Sequence, residues 1–167
     1  MDTDYSNKVS NALYRINKEA KVLRDKASNS DDRDDRFNLR RKMNELYYMK
    51  DDILKHLYDT GNLEIIGYHV LYYDFDEDKD DYIPAYGVLT RIPGTVNTFH
   101  TPYDIDSYSY GSLEKLGIED LGEMDDLVSA NIRKNEDIPS YSEAINILNN
   151  FLDDNWEFDK DYEEYYN

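Results

Sequence analysis

The apolar residues of this chain change period once, near residue 63, and that change fixes the class of fold open to it. Before it, Val9, Leu13, Ile16, Ala20, Leu23 and Ala27 recur at alternating steps of four and three, which is a heptad seam. Ser6 is placed to cap this helix. The stretch SNSDDRDD, residues 28–35, breaks it with turn and capping residues. A second seam runs through Leu39, Met43, Leu46, Ile53 and Leu57, interrupted by Lys50 and widened by Tyr47, Leu54 and Tyr58. Gly61 suits the position just past its C-terminus. Residues 1–61 are therefore expected to form an antiparallel helical hairpin.

Beyond residue 62 the segments LEIIGYHVLYYDF, YIPAYGVLTRI and TVNTFHT are rich in β-branched and aromatic residues. The first two are joined by an acidic stretch and the last two by Pro93-Gly94, a type II turn signature. This predicts a three-stranded antiparallel meander, with Pro84 near the start of its strand. PYDIDSYSYGS, after Thr101, reads as a fourth strand or an ordered loop. Short helices are expected at about 119–134 and 140–153. Ser140 or Ser142 would cap the second, with Ala144, Ile145, Leu148, Phe151 and Leu152 on its apolar face. The fold class is α+β: a coiled-coil-like helical arm over 1–61, then an acidic α+β domain over 62–167 with a three- to four-stranded antiparallel sheet.

Charge follows the same boundary. Residues 1–60 hold 12 acidic and 13 basic side chains, whereas residues 61–167 hold 25 acidic and 6 basic. A net charge of −18 repels phosphate backbones and anionic membranes, so direct binding to either is not expected, and the natural partners are basic surfaces or cations. A salt-adapted proteome would also favour acid, but the abundance of Asn, Ile, Lys and Tyr resembles an AT-rich coding source instead. There is no cysteine, which excludes disulfides, thiolate metal sites and a cysteine nucleophile. The N-terminal MDTDYSNKVSN carries no basic-then-apolar signal, and no apolar run approaches about 18 residues. The expectation is a soluble protein of the cytoplasm.

Residues 72–82, YYDFDEDKDDY, concentrate the acid between tyrosines. Asp74, Asp76, Asp78 and Asp80 match the first ligand positions of an EF-hand loop. Lys79 then stands where that loop needs glycine, and Ala85 where it needs a bidentate glutamate, so an EF-hand is excluded. A solvated hairpin turn explains the stretch taken alone, because aspartate hydrogen-bonds its own backbone in turns. The pattern is repeated, however, at Asp104, Asp106, Glu119, Asp120, Glu123, Asp125 and Asp126, and again from Asp153 to Glu164. Like charge at this density opposes folding. Imitation of a nucleic acid supplies a reason for it: carboxylates at i and i+2 of a strand lie about 6.6 Å apart on one face. Fixed in rows, they match grooves built for phosphates.

Catalytic signatures are missing from the sequence. The seven glycines form no P-loop, dinucleotide fingerprint or nucleophile elbow. His56 suits the end of the second helix. His69 and His100 fall in strands that could be neighbours, without a recognised metal spacing. An enzyme is not expected, and no cofactor or metal. The basic cluster Arg33, Arg36, Arg40, Arg41 and Lys42, at the hairpin tip, is expected to pair with Asp31, Asp32, Asp34 and Asp35; the alternative is that it touches an acidic or nucleic-acid element of the target.

In its acidic-aromatic stretches YYDFDEDKDDY, PYDIDSYSY and FDKDYEEYYN the chain resembles phage-encoded acidic anti-defence inhibitors, the anti-CRISPR and anti-restriction DNA mimics. That resemblance implies a stoichiometric inhibitor of a bacterial Cas nuclease or restriction enzyme, active in the cytoplasm of an infected host. The residues expected to meet such a partner are Asp74, Asp76, Glu77, Asp78, Asp80, Asp81, Asp104, Asp106, Tyr108, Tyr110, Asp125 and Asp126. The alternative expectation is a non-enzymatic assembly protein that dimerises through residues 9–57.

Overall fold

The structure is a computed structural model that describes residues 1–101, 120–123 and 137–155. Its elements are α1 (Thr3–Asn29), α2 (Arg33–Asp59), β1 (Glu64–Asp76), β2 (Asp81–Arg91), β3 (Thr98–Thr101), β4 (Asp120–Glu123) and α3 (Tyr141–Asn155). This is the α+β class read from the periodicity. The chain forms two compact units, one of residues 1–56 with the segment after residue 134, the other of residues 57–134. The sequence division at 61/62 had grouped the last helix with the sheet. In the structure α3 belongs with the helical hairpin.

In the helical unit the N-cap of α1 is Asp2, not Ser6. The Asp2 Oδ1 accepts the Tyr5 N–H at 2.8 Å, and Ser6 is buried one turn further in. Three residues, Ser30 to Asp32, turn the chain back. Asp32 Oδ1 accepts the Asp34 N–H at 2.9 Å and so caps α2. Ser140 caps α3, its Oγ accepting the Glu143 N–H at 3.3 Å.

The Phe151 ring of α3 is fully buried, 6.2 Å from the ring of Tyr5 on α1 and 5.9 Å from that of His56 on α2. Two helices thus cover α1, which explains why its N-terminal half buries more than a stripe: Val9, Ala12, Leu13 and Ile16 together with Ser6, Ser10 and Asn11. Leu46, Met49, Ile53 and Leu54 of α2 and Ala144, Leu148, Phe151 and Leu152 of α3 complete the core. Each large side chain buried this way is worth about 1.5–3 kcal/mol. The chain's own helices thus fill the seam where Val9, Leu13, Ile16, Leu46 and Ile53 lie, whereas Leu23, Leu39 and Met43, toward the hairpin tip, are only half-buried.

The sheet unit opens at the end of α2. Gly61, at φ +76°, donates to the Tyr58 carbonyl at 3.1 Å, and Asn62 donates to that of Leu57 at 2.7 Å. This pair of bonds is a Schellman cap, and its left-handed residue is why glycine is used. The strand order is β3-β2-β1-β4, with β1, β2 and β3 antiparallel in sequence order. Between β2 and β3, Gly94 at φ +81° and the Thr95 N–H to Ile92 carbonyl bond of 3.1 Å form the type II turn expected at Pro93-Gly94. Tyr68, Val88, Leu89, Ile92 and Phe99 are buried here, and the buried Thr90 hydroxyl donates to the Phe99 carbonyl.

One expectation is corrected. Residues 120–123, assigned to the start of a helix over 119–134, form a strand that pairs parallel to β1, Tyr68 with Asp120 and Val70 with Glu123. Gly122 weakens a helix here by about 1 kcal/mol, and the open edge of β1 offers unpaired backbone groups. The fourth strand therefore makes the sheet mixed, not wholly antiparallel. Residues 124–134 of that expected helix, and the stretch 102–112, lie outside the described residues.

Candidate functional site

The β1–β2 ladder continues past the sheet core as a free hairpin. A bulge between Val70 and Tyr72 resets its register, after which Asp74 pairs with Ile83, Phe75 with Tyr82 and Asp76 with Asp81. From that point strand alternation separates two chemistries. Tyr72, Asp74, Asp76 and, across the ladder, Asp81 and the half-buried Ile83 share one face. Tyr73, Phe75 and Tyr82 share the other, with Phe75 and Tyr82 edge to face at 5.3 Å. Both faces are open to solvent: Tyr73, Phe75 and Tyr82 are 60%, 50% and 65% exposed.

The loop itself is Glu77 to Asp80, closed by carboxylates. Asp76 Oδ1 accepts the N–H of Asp78 at 2.9 Å and of Lys79 at 3.3 Å, and Asp81 Oδ1 accepts the Tyr82 N–H at 2.8 Å. Asp80 sits at φ +50°, a left-handed position that aspartate tolerates better than most residues. The turn reading therefore accounts for Asp76, Asp80 and Asp81. It assigns no task to Asp74, Glu77 or Asp78, whose side chains are exposed. Among the described residues none of these six carboxylates enters an ion pair, and Lys79 is not bridged to any of them. At the other end of the ladder, Glu64 and Arg91 do pair, at 2.8 Å.

Six of the twelve residues named from the sequence are thus brought together on one hairpin. The other six, Asp104, Asp106, Tyr108, Tyr110, Asp125 and Asp126, lie outside the described residues. The sequence reading missed the aromatic face. Its signal was present as the alternation of Tyr73 and Phe75 with Asp74 and Asp76.

His69 lies in β1 and His100 in β3, with β2 between them, so their strands are not neighbours. His56 is set against Phe151. Among the described residues no group of three or more His, Asp or Glu side chains is placed to hold a metal ion, and no helix is long and apolar enough to cross a membrane.

Lys50, which interrupts the second seam, is only 6% exposed. Its amine lies 3.5 Å from Asn17 Oδ1, 3.6 Å from Asp51 Oδ1 and 5.2 Å from the Tyr47 ring centre. Burial pushes its pKa below the usual lysine value of 10.5, and Asp51 offsets this only in part. Below 10.5 the unfolded chain then binds more protons than the folded one, so this group makes stability rise as pH is raised toward 10. Tyr47 and Tyr141, whose pKa values burial raises above 10.0, oppose that trend beyond pH 10. Replacing Lys50 by methionine is expected to flatten the rise and to leave stability at neutral pH unchanged or higher. Urea denaturation across pH 7–10 checks it, and a steeper slope in the variant would refute the assignment.

Comparison of the chain with protein-family models, curated proteins and solved structures found no match.

Proposed function

We propose that this protein is a stoichiometric inhibitor of a bacterial nucleic-acid-binding defence enzyme, in the first instance a Cas nuclease. It acts in the cytoplasm of an infected host. Its acidic surface occupies a basic groove in place of DNA or RNA, and no bond is made or broken. The observation that carries this reading is the hairpin end at residues 72–82, which projects carboxylates without cation partners and backs them with exposed aromatic rings. Carboxylates supply the long-range attraction to a Lys/Arg groove, and rigid rings supply contact area once water is expelled.

The test is a cleavage titration. Added to a purified Cas nuclease before its nucleic acid, the protein should abolish cleavage near equimolar ratio, and rising salt should restore it as the attraction is screened. Nuclease already loaded with guide and target should resist. Full cleavage at large excess in low salt, or inhibition indifferent to order of addition and to salt, would sink the groove-competition reading.

A further inference from the structure

The hairpin tip of the helical unit carries an opposite surface. The basic cluster was expected to pair with Asp31, Asp32, Asp34 and Asp35. Two of those neighbours are instead occupied with closing the turn: Asp32 Oδ1 caps α2, and Asp35 Oδ2 accepts the Ser30 hydroxyl at 2.8 Å. Arg36 is likewise turned inward, its Nη1 donating to the Ser30 carbonyl at 3.0 Å. Among the described residues Arg33, Arg40, Arg41 and Lys42 enter no ion pair.

Helical phase then sorts them. At about 100° per residue, Arg33, Arg40 and Arg41 neighbour Phe37 at i−4, i+3 and i+4, with Asp34 at i−3 beside them, on the side of α2 opposite Leu46 and Ile53. Phe37 is 67% exposed, the most exposed of the chain's large apolar side chains among the described residues. An exposed ring ringed by unpaired guanidinium groups is the combination that dominates binding energy at protein interfaces.

We propose that this face binds the acidic hairpin, residues 72–82, of a second copy of the chain. Charge is one argument: three unpaired arginines face Asp74, Glu77 and Asp78, which are unpaired too. Chemistry is another, because the hairpin brings Phe75 and Tyr82, whose rings fit Phe37 and the arginine planes. Size is the third. From Arg33 to Arg41 α2 rises about 12 Å, long enough to take a two-stranded tip whose strands lie about 4.8 Å apart. A long polyanion would overrun so short a patch and meet Asp31 at one end and Asp51 and Asp52 further along α2. The inference rests on these two surfaces alone. Where the hairpin also engages a basic enzyme, self-association and inhibition compete for the same carboxylates.

A charge-swap experiment on the full chain tests it by sedimentation velocity over a concentration series at low salt. The wild type should associate, and salt should reverse it. An Arg40→Glu, Arg41→Glu variant and a Glu77→Arg, Asp78→Arg variant should each associate at least about tenfold more weakly. Mixed in equal amounts they should associate again, since the basic hairpin of one meets the acidic tip of the other. Phe37→Ala should weaken association without changing charge, with circular dichroism confirming that each variant is folded. A wild type that stays monomeric throughout, or a mixture that fails to recover, overturns the proposal. So does binding of a labelled single-stranded oligonucleotide that Arg40→Glu, Arg41→Glu abolishes, since the occupant of the face would then be nucleic acid.

Discussion

Replacing Phe151 by alanine is expected to cost the helical unit about 3–5 kcal/mol, enough to consume much of the stability of a domain this size. The ring is 1% exposed and lies against Tyr5 of α1 and His56 of α2. It is the largest side chain that α3 inserts, so its removal leaves a cavity where three helices meet. Urea denaturation followed by far-ultraviolet circular dichroism gives the number. Phe37→Ala, on the exposed side of α2, is the control and should fall within about 0.5 kcal/mol of the parent. A loss below about 1 kcal/mol for Phe151→Ala would mean that α3 does not seal the hairpin.

The second large effect is on binding. Changing Asp74, Asp76, Asp78 and Asp80 together to asparagine should leave the fold intact, because the geometry asks only for oxygen acceptors and a tolerant backbone. Asparagine at 76 still accepts the N–H groups of residues 78 and 79, and asparagine at 80 is at ease at positive φ. Stability should even rise slightly, since Asp76 and Asp81 are directly opposed across the ladder and like charges there are destabilising. Affinity for a basic nuclease should nevertheless fall by at least about tenfold, with a shallower dependence on salt. Calorimetric titration at two salt concentrations separates the outcomes. An unchanged affinity would remove this hairpin from the interface.

Local chemistry made much of this architecture readable before any coordinates. The change from steps of three and four to steps of two separated helices from strands, and Gly61 and Gly94 marked two backbone positions that need positive φ. What the sequence could not rank were choices settled by distant partners. Asp2 and Ser6 are both competent caps, and the burial of Ser6 by neighbouring helices leaves the cap to Asp2. The apolar face of α3 announces that it is buried, but not that its cover is α1 instead of the sheet. β4 exists because β1 leaves an edge open, which no window around residue 120 reveals. In the hairpin, alternation was visible from Tyr72 to Asp76. Only the bulge after Val70 decides which partners those residues face. Phe37 stood out of phase with the second seam, and that was the available sign that it points to solvent.

The placement of α3 has a consequence for how the chain is made. The helical unit is assembled from the two ends of the described chain, with the whole sheet unit inserted between them. During synthesis at about 5–20 residues per second, roughly 5–20 s separate the emergence of His56 from that of Phe151. Through that interval α1 and α2 can pair, but the face around Val9, Ala12 and Ile16 lacks its third helix. The nascent protein thus exposes this apolar face early and covers it only once α3 has emerged, so a chain released before that is left open on the side that α3 would have closed.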